Sequence, residues 1–489
     1  MRTALALLFL ALPIHGGQED DLERSVRQLA ELLSVVEERA ADPVDTAGAL
    51  YKGAIPAMVR RLDPHSAFLD PQQFESLKEM QRSTEKGFGS VVSLNHGRVI
   101  VLQTLPESPS MRAGLAPGDE IVAINGYQIA ALNIDQLVAL LSQSRQQRAE
   151  LMVLRPNFSR LLPMTLTPEE LADPSVSLQF VLSEDVGYIK VANFETDTHV
   201  ELREAIEKLG GHKLKGLVLD FRRNPGGVIE AAVRMAAMFL ESGQRILWIR
   251  GREGPQEEVR VPPGNEPYRF PVAILVNDET ASASELVAGA LQDHDRATIV
   301  GQRSFGKGLV QSVFELSEET GLALTTALYL SPSGRPIQRP LNDCADYQLT
   351  ACPDDGPVRE YPTDSGRMIP GGGGLQPDEA ALPRQYSAFE YWLGSSSAIL
   401  SYARNYVSSR KQPIEPSFEV TPAMLDDFQL YLSQHGTSVP LSEWTSAVDF
   451  IRYNLRQEIF NLTLGVEFGD EVELRNDPQV KAALEAVLR

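Results

Sequence analysis

Two serines separated by one alanine occur in the segment DETASASELVAGALQDH, residues 278–294. Ser282 and Glu285 have the spacing of a capping box, in which a hydroxyl and a carboxylate satisfy the free amides of a helix start. A serine on a sharp turn between a strand and a helix can also attack a carbonyl, because the helix amides can hold the oxyanion that forms. Taken alone, this segment favours capping. The small neighbours Ala281 and Ala283 nevertheless leave room for a polypeptide substrate.

A nucleophilic serine needs a base, and Lys307 in the segment RSFGKGLVQ is the candidate. A lysine acts as a base only in its neutral form, which an apolar and uncharged environment favours. On a strand, residues 307, 309 and 311 share one face, so Gln311 can orient the Lys307 amine. The alternative is a surface lysine in a glycine turn. His65 and His294 stand at helix ends, where a capping or turn role is the simpler interpretation.

A second segment offers backbone amides for an oxyanion. The sequence DFRRNPGG, residues 220–227, ends a strand-like stretch and places Gly226 and Gly227 just before a helix. Glycines there permit positive φ and close backbone approach. Strands and helices alternate from about 175 to 345, which indicates crossover connections and a largely parallel sheet. Because functional loops lie beyond the carboxyl ends of such strands, we expect residues 220–227 and 277–284 to lie close together.

The region 86–168 has short strands around one helix-like segment, which predicts a compact, partly open barrel. Its segment KGFGSVV places Gly87, Phe88 and Gly89 before a strand. Several backbone amides can converge there on an anion such as a chain-terminal carboxylate.

Helical patterns flank these regions on both sides. Residues 20–80 carry an apolar stripe from Val26 to Val36 at helical spacing. Residues 385–489 also look helical, and we find no chemistry in them.

Composition excludes some classes of partner. The 489 residues suffice for roughly two to four domains, and the formal net charge of −21 argues against nucleic acid or an anionic lipid surface, which need a basic face. Residues 1–17 have the order of a secretory signal and predict export, with an uncleaved membrane anchor as the alternative. Because the first cysteine is Cys344, we expect no lipoprotein. Cys344 and Cys352 indicate a disulfide in a surface loop, with free thiols or a metal site as alternatives.

The chain resembles the carboxyl-terminal processing (tail-specific) peptidases, serine peptidases with a Ser-Lys dyad and a PDZ domain. Five motifs in the family's order carry this resemblance over most of residues 25–378: LDPHSAFLD (62–70), SPSMRAGLAPGDEIVAING (108–126), DFRRNPGG (220–227), ASASELVAGALQDHDRATIVG (281–301) and FGKGLVQ (305–311). The family's nucleophile stands 25 residues before the lysine. Since 307 − 282 = 25, whereas 307 − 284 = 23, the resemblance implies Ser282 rather than Ser284.

The resemblance also assigns roles to residues around this pair. It implies that Gln311 orients the lysine and that the amides of Ala283 and of Gly226 or Gly227 bind the oxyanion. Glu285 and Asp293 match the family too, and we interpret them as structural. Arg112 is expected in a short turn that faces the tail-binding groove of the PDZ domain. One departure is the insertion of about thirty residues with both cysteines, which splits SGRPIQRPLNDC from GGGGLQPD.

The implied fold is α/β, with a crotonase-like peptidase core and an inserted PDZ domain between helical ends. The expected segments are a signal peptide at 1–17, an N-terminal helical arm at 20–80, a PDZ domain at 86–168, a peptidase core at 175–384 with a cysteine-containing insertion near 341–374, and a C-terminal helical region at 385–489.

The implied function is endoproteolysis of exported proteins at or near their C-termini, without a cofactor or metal. The expected partners are polypeptides with apolar C-termini, and the expected location is the periplasm of a Gram-negative bacterium. A non-enzymatic PDZ adaptor and a transpeptidase-like hydrolase are the alternatives. Two possible partners stay open, a second copy of the chain and an activating adaptor. It also stays open whether the PDZ domain gates the active site or only tethers the substrate near it.

Overall fold

The computed structural model describes residues 18–82, 86–95, 98–144, 147–171, 174–252, 256–339 and 359–489. The signal-like segment 1–17 and both cysteines lie outside the described residues, and export and the disulfide stay predictions. No helix in these ranges is at once long enough and apolar enough to cross a membrane.

The chain divides into two compact units. The smaller contains the described residues up to Lys78 together with Gln311–Thr325, and the larger contains the rest. The N-terminal part of the smaller unit contains the strand Ala67–Leu69 and the helices Gln18–Arg39, Thr46–Ala49, Leu50–Ala54 (a π-helix), Ile55–Arg60 and Pro71–Arg82. The last of these helices continues into the larger unit. The strand Ala67–Leu69 pairs antiparallel with residues 321–323 of the strand Gly321–Leu330. The stretch 311–325, which the sequence analysis assigned to the core, thus packs with the N-terminal helices.

The first helix of the smaller unit keeps its apolar residues exposed. Five large apolar side chains on Gln18–Arg39 have exposed fractions between 43% and 62%: Leu22, Val26, Leu29, Leu32 and Val35. The turn after the helix Ile55–Arg60 is closed by Asp63, which accepts hydrogen bonds from the amides of His65 and Ser66 at 2.8 Å each. His65 therefore lies in a turn held by its backbone.

The segment expected to be the PDZ domain is a six-stranded antiparallel sheet around the helix Ile134–Ser144, with a short helix at Pro109–Arg112. Its strands are Ser90–Asn95, Arg98–Thr104, Glu120–Ile124, Tyr127–Gln128, Ala149–Leu154 and Leu162–Leu166, and a two-stranded pair joins Lys86–Gly87 to Glu169–Glu170. Buried aliphatic side chains from the strands and from Leu137 of the helix form its core.

A six-stranded sheet forms the centre of the larger unit. Its order is Val176–Ser183, Val186–Val191, Gly216–Asp220, Val272–Val276, Ala297–Gly301 and Glu379–Ala380, and every pair after the first is parallel. Successive residues of the third strand point to opposite faces, so Leu217 and Leu219 join one apolar cluster and Val218 joins another. Sheets buried on both faces are typical of parallel strands linked by crossover helices.

Helices cover both faces of this sheet. Thr198–Leu209, Ile229–Ala237 and Ala283–Asp293 pack on one face, and the last helix, Pro478–Leu488, packs on the other through Val480, Ala483 and Val487. A second sheet contains Arg245–Gly251, Glu257–Arg260, Leu309–Glu315 and Gly321–Leu330, and a small hairpin pairs Glu360–Pro362 with Met368–Pro370.

The C-terminal region is helical, as expected, but it is not an appendage. Its helices are Ala388–Ser395, Ala398–Ser409, Pro422–Gln434, Leu441–Thr463, Val466–Asn476 and Pro478–Leu488. Their apolar cluster includes Ile100 of the barrel, which is 1% exposed. The region therefore packs on the predicted PDZ domain at one end and on the central sheet at the other.

Candidate active site

Ser282 lies on the turn between the central strand Val272–Val276 and the helix Ala283–Asp293. Its backbone has φ 57° and ψ −117°, which a residue with a side chain adopts at a cost of roughly 1–3 kcal/mol. Such strain persists only where the surroundings impose it, and it directs a side chain out of a sharp strand-to-helix turn.

The neighbouring serine is placed differently. Ser284 is fully buried, and its hydroxyl donates to the carbonyl of Asn224 at 3.2 Å. Ser282 is only partly buried. Of the two serines, Ser282 has the accessibility that a nucleophile needs.

Glu285 joins the Ser282 turn to the loop that carries Lys307. Its carboxylate is fully buried and accepts four hydrogen bonds. Oε2 accepts from the amides of Ser282 at 2.9 Å and Lys307 at 2.8 Å, and Oε1 accepts from the amide of Gly306 at 2.7 Å and the hydroxyl of Ser304 at 2.5 Å. Burial raises the pKa of Glu285, and these four hydrogen bonds oppose that rise.

Lys307 is half-buried between two buried glycines. The strand that follows begins at Leu309, two residues later than the face-sharing argument for residues 307, 309 and 311 required. Gly306 has φ 91°, so the chain turns immediately before Lys307. Lys307 therefore belongs to a loop whose backbone Glu285 fixes, rather than to the strand itself.

The loop 221–227 lies directly against Ser282. Asn224 holds it, since its carbonyl accepts from the amide of Ala281 at 3.0 Å and its Nδ2 donates to the carbonyl of Val191 at 2.8 Å. A Cβ on Gly226 would stand 2.8 Å from the Ser282 Cβ and 2.9 Å from the Ala283 nitrogen. The expectation that residues 220–227 and 277–284 lie close together agrees with this geometry.

The backbone amides of the two glycines in this loop differ in their hydrogen bonding. The Gly226 amide donates to Oδ1 of Asn224 at 2.9 Å, so it is engaged within the loop. Gly227 is exposed, and the next amide, that of Val228, donates to the carbonyl of Phe194 at 2.7 Å. This arrangement favours Gly227 and Ala283 as the oxyanion donors.

Gln311 belongs to the smaller unit, where its Nε2 donates to the carbonyl of His65 at 2.8 Å. Its orientation of the lysine stays a prediction. His294 follows the last turn of the helix Ala283–Asp293 as its C-cap, and its ring contacts Asp364 and the carbonyl of Arg245, each at 2.7 Å. Asp293 is buried and pairs with Arg335 at 2.8 Å, in keeping with the structural role that we gave it.

The predicted tail-binding segment lines a groove of about 500 Å³ in the barrel. Gly87, Phe88 and Gly89 form one wall, and the other walls are mostly aliphatic. The carbonyls of Phe88 and Gly89 accept from Ser110 at 2.9 Å and Leu105 at 2.8 Å, which fixes this segment.

Arg112 is not among the groove residues. Its exposed guanidinium pairs with Glu169, which stands opposite Gly87 in the two-stranded pair, and also donates to the carbonyl of Glu107. Arg112 thus reaches the tail-binding segment only through the opposite strand.

Sequence reasoning missed two residues that organise the site. Asn224 lies within DFRRNPGG, and an asparagine before Pro-Gly-Gly is the signal of a side chain that binds its own backbone. Ser304 carried no signal, because its partner Glu285 lies 19 residues away in sequence.

Comparisons with known proteins give the family of the chain. The model of peptidase family S41 matches residues 185–342, and a PDZ domain model matches residues 100–155. The carboxy-terminal-processing protease of Bartonella bacilliformis is 32% identical over 340 residues, which cover 68% of this chain and 77% of that protein. The carboxyl-terminal-processing protease of Synechocystis sp. is 34% identical over 292 residues, 58% of this chain and 68% of that protein.

The predicted fold class, a mixed α/β chain with a peptidase core, a PDZ domain and helical ends, is confirmed. The predicted class of enzyme is confirmed as well, since the similar proteins are carboxyl-terminal processing proteases. The chain belongs to the carboxyl-terminal processing proteases of peptidase family S41 and is a serine-type peptidase.

Proposed function

We propose that this chain cleaves exported polypeptides at or near their C-termini with a Ser282–Lys307 dyad. Ser282 Oγ attacks the scissile carbonyl while the neutral Lys307 amine takes its proton. The amides of Ala283 and Gly227 stabilise the oxyanion. The protonated lysine gives the proton to the leaving amine, and the same lysine then activates the water that hydrolyses the acyl-enzyme.

The observation that carries this proposal is the shared carboxylate of Glu285. One oxygen accepts from the backbone amides of both members of the dyad, at 2.9 Å and 2.8 Å. Both loops are therefore tied to one common group, and proton transfer between a serine and its base needs a constant separation of their loops. The strained backbone of Ser282 and the close approach of Gly226 further support a nucleophile at this position.

The groove of the PDZ domain supports recognition of an apolar tail. Gly87, Phe88 and Gly89 offer backbone amides at one wall, and aliphatic side chains such as Ile121 and Leu141 line the remainder. A terminal carboxylate with an apolar last residue fits this combination. We propose that the PDZ domain binds such tails and presents the preceding chain to Ser282.

Export to the periplasm is part of the proposal and is supported by the signal-like segment 1–17. A homodimer is supported by the exposed apolar stripe of the helix Gln18–Arg39.

The test is incubation of the purified protein with an unfolded, apolar-tailed polypeptide, followed by mass spectrometry of the fragments. We expect wild type to cleave it, and Ser282→Ala and Lys307→Ala to bind the tail without turnover. Ser284→Ala is the matched control and should keep activity. Cleavage by Ser282→Ala together with loss of cleavage in folded Ser284→Ala would show that Ser284, and not Ser282, is the nucleophile. A wild-type protein that binds tails without cleaving them would indicate an adaptor.

A further inference from the structure

We propose that Arg222, held by Asp477 and Gln479 of the C-terminal region, is a positioning residue for the loop that carries Gly227. The inference rests on the proposed function, in which the Gly227 amide stabilises the oxyanion. It gives a role in the reaction to a part of the chain in which the sequence showed no chemistry.

Arg222 bridges the end of a central strand to the start of the last helix. Its Nη2 donates to Oδ2 of Asp220 at 2.6 Å, and its Nε contacts both oxygens of that carboxylate at 3.0 Å. Its Nη1 donates to Asp477 Oδ2 at 2.6 Å and to Gln479 Oε1 at 2.8 Å. All three nitrogens of the guanidinium are therefore engaged, which fixes its plane.

The pairing is protected from water, so its geometry matters more than that of a surface ion pair. The side chains of Arg222, Asp220 and Asp477 are 14%, 1% and 21% exposed. Burial alone would lower the pKa of Arg222, but Asp220 and Asp477 raise it above its ordinary value, so the side chain stays charged. Removing one partner of a buried, hydrogen-bonded charge costs more than removing an exposed one.

The loop that follows Arg222 reaches Gly227 after five residues and is otherwise tied to the catalytic side of the sheet. The Arg223 amide donates to Oδ1 of Asn277 at 2.9 Å, and the carbonyl of Phe221 accepts from the Thr280 hydroxyl at 2.8 Å. At the far end, the carbonyl of Gly226 accepts from the Phe194 amide at 2.9 Å. Of the hydrogen bonds described for this loop, those of Arg222 to Asp477 and Gln479 reach the C-terminal region.

Asp477 and Gln479 stand at the start of the helix Pro478–Leu488, which packs on the sheet face opposite the Ser282 helix. Asp477 caps this helix through the Gln479 amide at 2.7 Å. A displacement of the last helix would therefore pull on Arg222 and shift the loop. An oxyanion donor is sensitive to such a shift, since a misplacement of about 1 Å can cost roughly a hundredfold in rate.

The test uses the full-length protein with Asp477→Asn and Arg222→Lys. Asparagine retains an oxygen for the helix cap and removes the charge that faces Arg222. Lysine keeps the charge and cannot reach Asp220 and Asp477 together. For both variants we expect kcat on a short peptide to fall about tenfold with KM within about twofold, because the oxyanion contact is made only in the transition state.

The control is Arg489→Gln at the C-cap of the same helix, which removes the hydrogen bond from Arg489 to Glu379 at 2.7 Å, at the other end of the helix from Arg222. It should keep wild-type kcat. Thermal unfolding of every variant separates loss of fold from loss of positioning, and Gln479→Met, which leaves both charge pairs intact, provides a milder variant with an expected twofold to threefold fall in kcat.

The outcomes separate this inference from the proposed function. If wild type and Ser282→Ala are equally inactive, the proposed function fails and the inference fails with it. If wild type cleaves while folded Asp477→Asn and Arg222→Lys keep full kcat, only the inference is overturned. A fall in kcat that Arg489→Gln matches would likewise overturn it, since the effect would then be a general loosening of the last helix.

Discussion

The backbone amides of Ser282 and Lys307 donate to the same oxygen, Oε2 of Glu285, although 25 residues separate them in sequence (307 − 282 = 25). Glu285 is fully buried and is the third residue of the helix that Ser282 caps. The Glu285 carboxylate of the predicted capping box therefore also fixes the two loops that carry Ser282 and Lys307. Helix capping and a nucleophilic role for Ser282 are therefore compatible in the segment 278–294.

The substitution Glu285→Gln should damage both stability and turnover. The glutamine side chain has one acceptor oxygen, so its NH2 group would face at least two of the buried donors that now bind the carboxylate. Unsatisfied buried donors cost about 1–3 kcal/mol each. We expect unfolding free energy to fall by roughly 2–3 kcal/mol and kcat by about a hundredfold.

Chemical denaturation and steady-state kinetics measure these two effects. Glu279→Gln is the matched control, because Glu279 is 63% exposed and contacts Arg223 only at 3.7 Å. It should change neither quantity. Wild-type kcat in Glu285→Gln would contradict the role of the shared carboxylate.

The sequence predicted much of this site because its signals are local. Ser282 and Glu285 are three residues apart, and Gly226 and Gly227 follow a strand in a segment of eight residues. The alternation of strands and helices placed both segments at one edge of the sheet, where the structure has them.

What the sequence did not predict depends on contacts between distant segments. The bond from Arg222 to Asp477 joins residues 255 positions apart, and nothing in the helical pattern of the last residues indicates that they cover the central sheet. The strand after Lys307 begins at Leu309, later than the apolar pattern predicted, and the chain turns at Gly306, where φ is 91°.

A side chain at Gly226 should block the oxyanion site. With φ 97°, an alanine there is strained, and its Cβ would stand 2.8 Å from the Ser282 Cβ and 2.9 Å from the Ala283 nitrogen. We expect Gly226→Ala to lower kcat by at least about a hundredfold, because that methyl group obstructs an amide that acts in the transition state. Kinetics on a short peptide measure this loss.

The control variant Gly243→Ala distinguishes the effect of backbone strain from that of a methyl group that obstructs the Ala283 amide. Gly243 has φ 82°, and a Cβ there would meet nothing within 4 Å. It should reduce stability by about 1 kcal/mol and leave kcat unchanged. A Gly226→Ala protein with the kinetics of Gly243→Ala would show that the space beside Ala283 is not used.

The contact between the PDZ domain and the C-terminal helices should weaken in acid. Hydrogen bonds from Arg98, and then from Arg404, hold the pKa of Glu120 below its ordinary 4.5. Since the folded-state pKa is lowered, the stabilisation is present above pH 4.5 and is lost as pH falls through the folded pKa. We expect Glu120→Gln to cost about 1 kcal/mol at pH 7, discounted for partial exposure.

Thermal unfolding from pH 7 to pH 3 tests this sign. The difference between wild type and Glu120→Gln should shrink as the pH falls below 4.5. Glu150→Gln, an exposed change on a neighbouring strand of the same sheet, should show no such trend. A difference that grows in acid would contradict the assignment of the stabilisation to ionised Glu120.

The same contact favours tethering over gating by the PDZ domain. Gating requires a bound tail to prefer one of two arrangements of the protein. The PDZ domain is held against the C-terminal helices by Ile100, which is 1% exposed, and by Arg404, whose guanidinium donates to Glu120 at 2.8 Å and to the Leu154 carbonyl at 3.1 Å. A movement of the domain would have to break this packing.

We therefore expect a non-cleavable, apolar-tailed peptide added in trans to leave hydrolysis of a short peptide unchanged. It should inhibit cleavage of a long, tailed polypeptide, because both compete for the groove. Leu141→Asp, which places a charge in the groove, should raise KM for the tailed polypeptide by about tenfold and spare the short peptide. Acceleration of the short peptide by the added tail would contradict tethering. In that case Arg112→Ala, which frees Glu169 opposite Gly87, would test whether that pair carries the coupling.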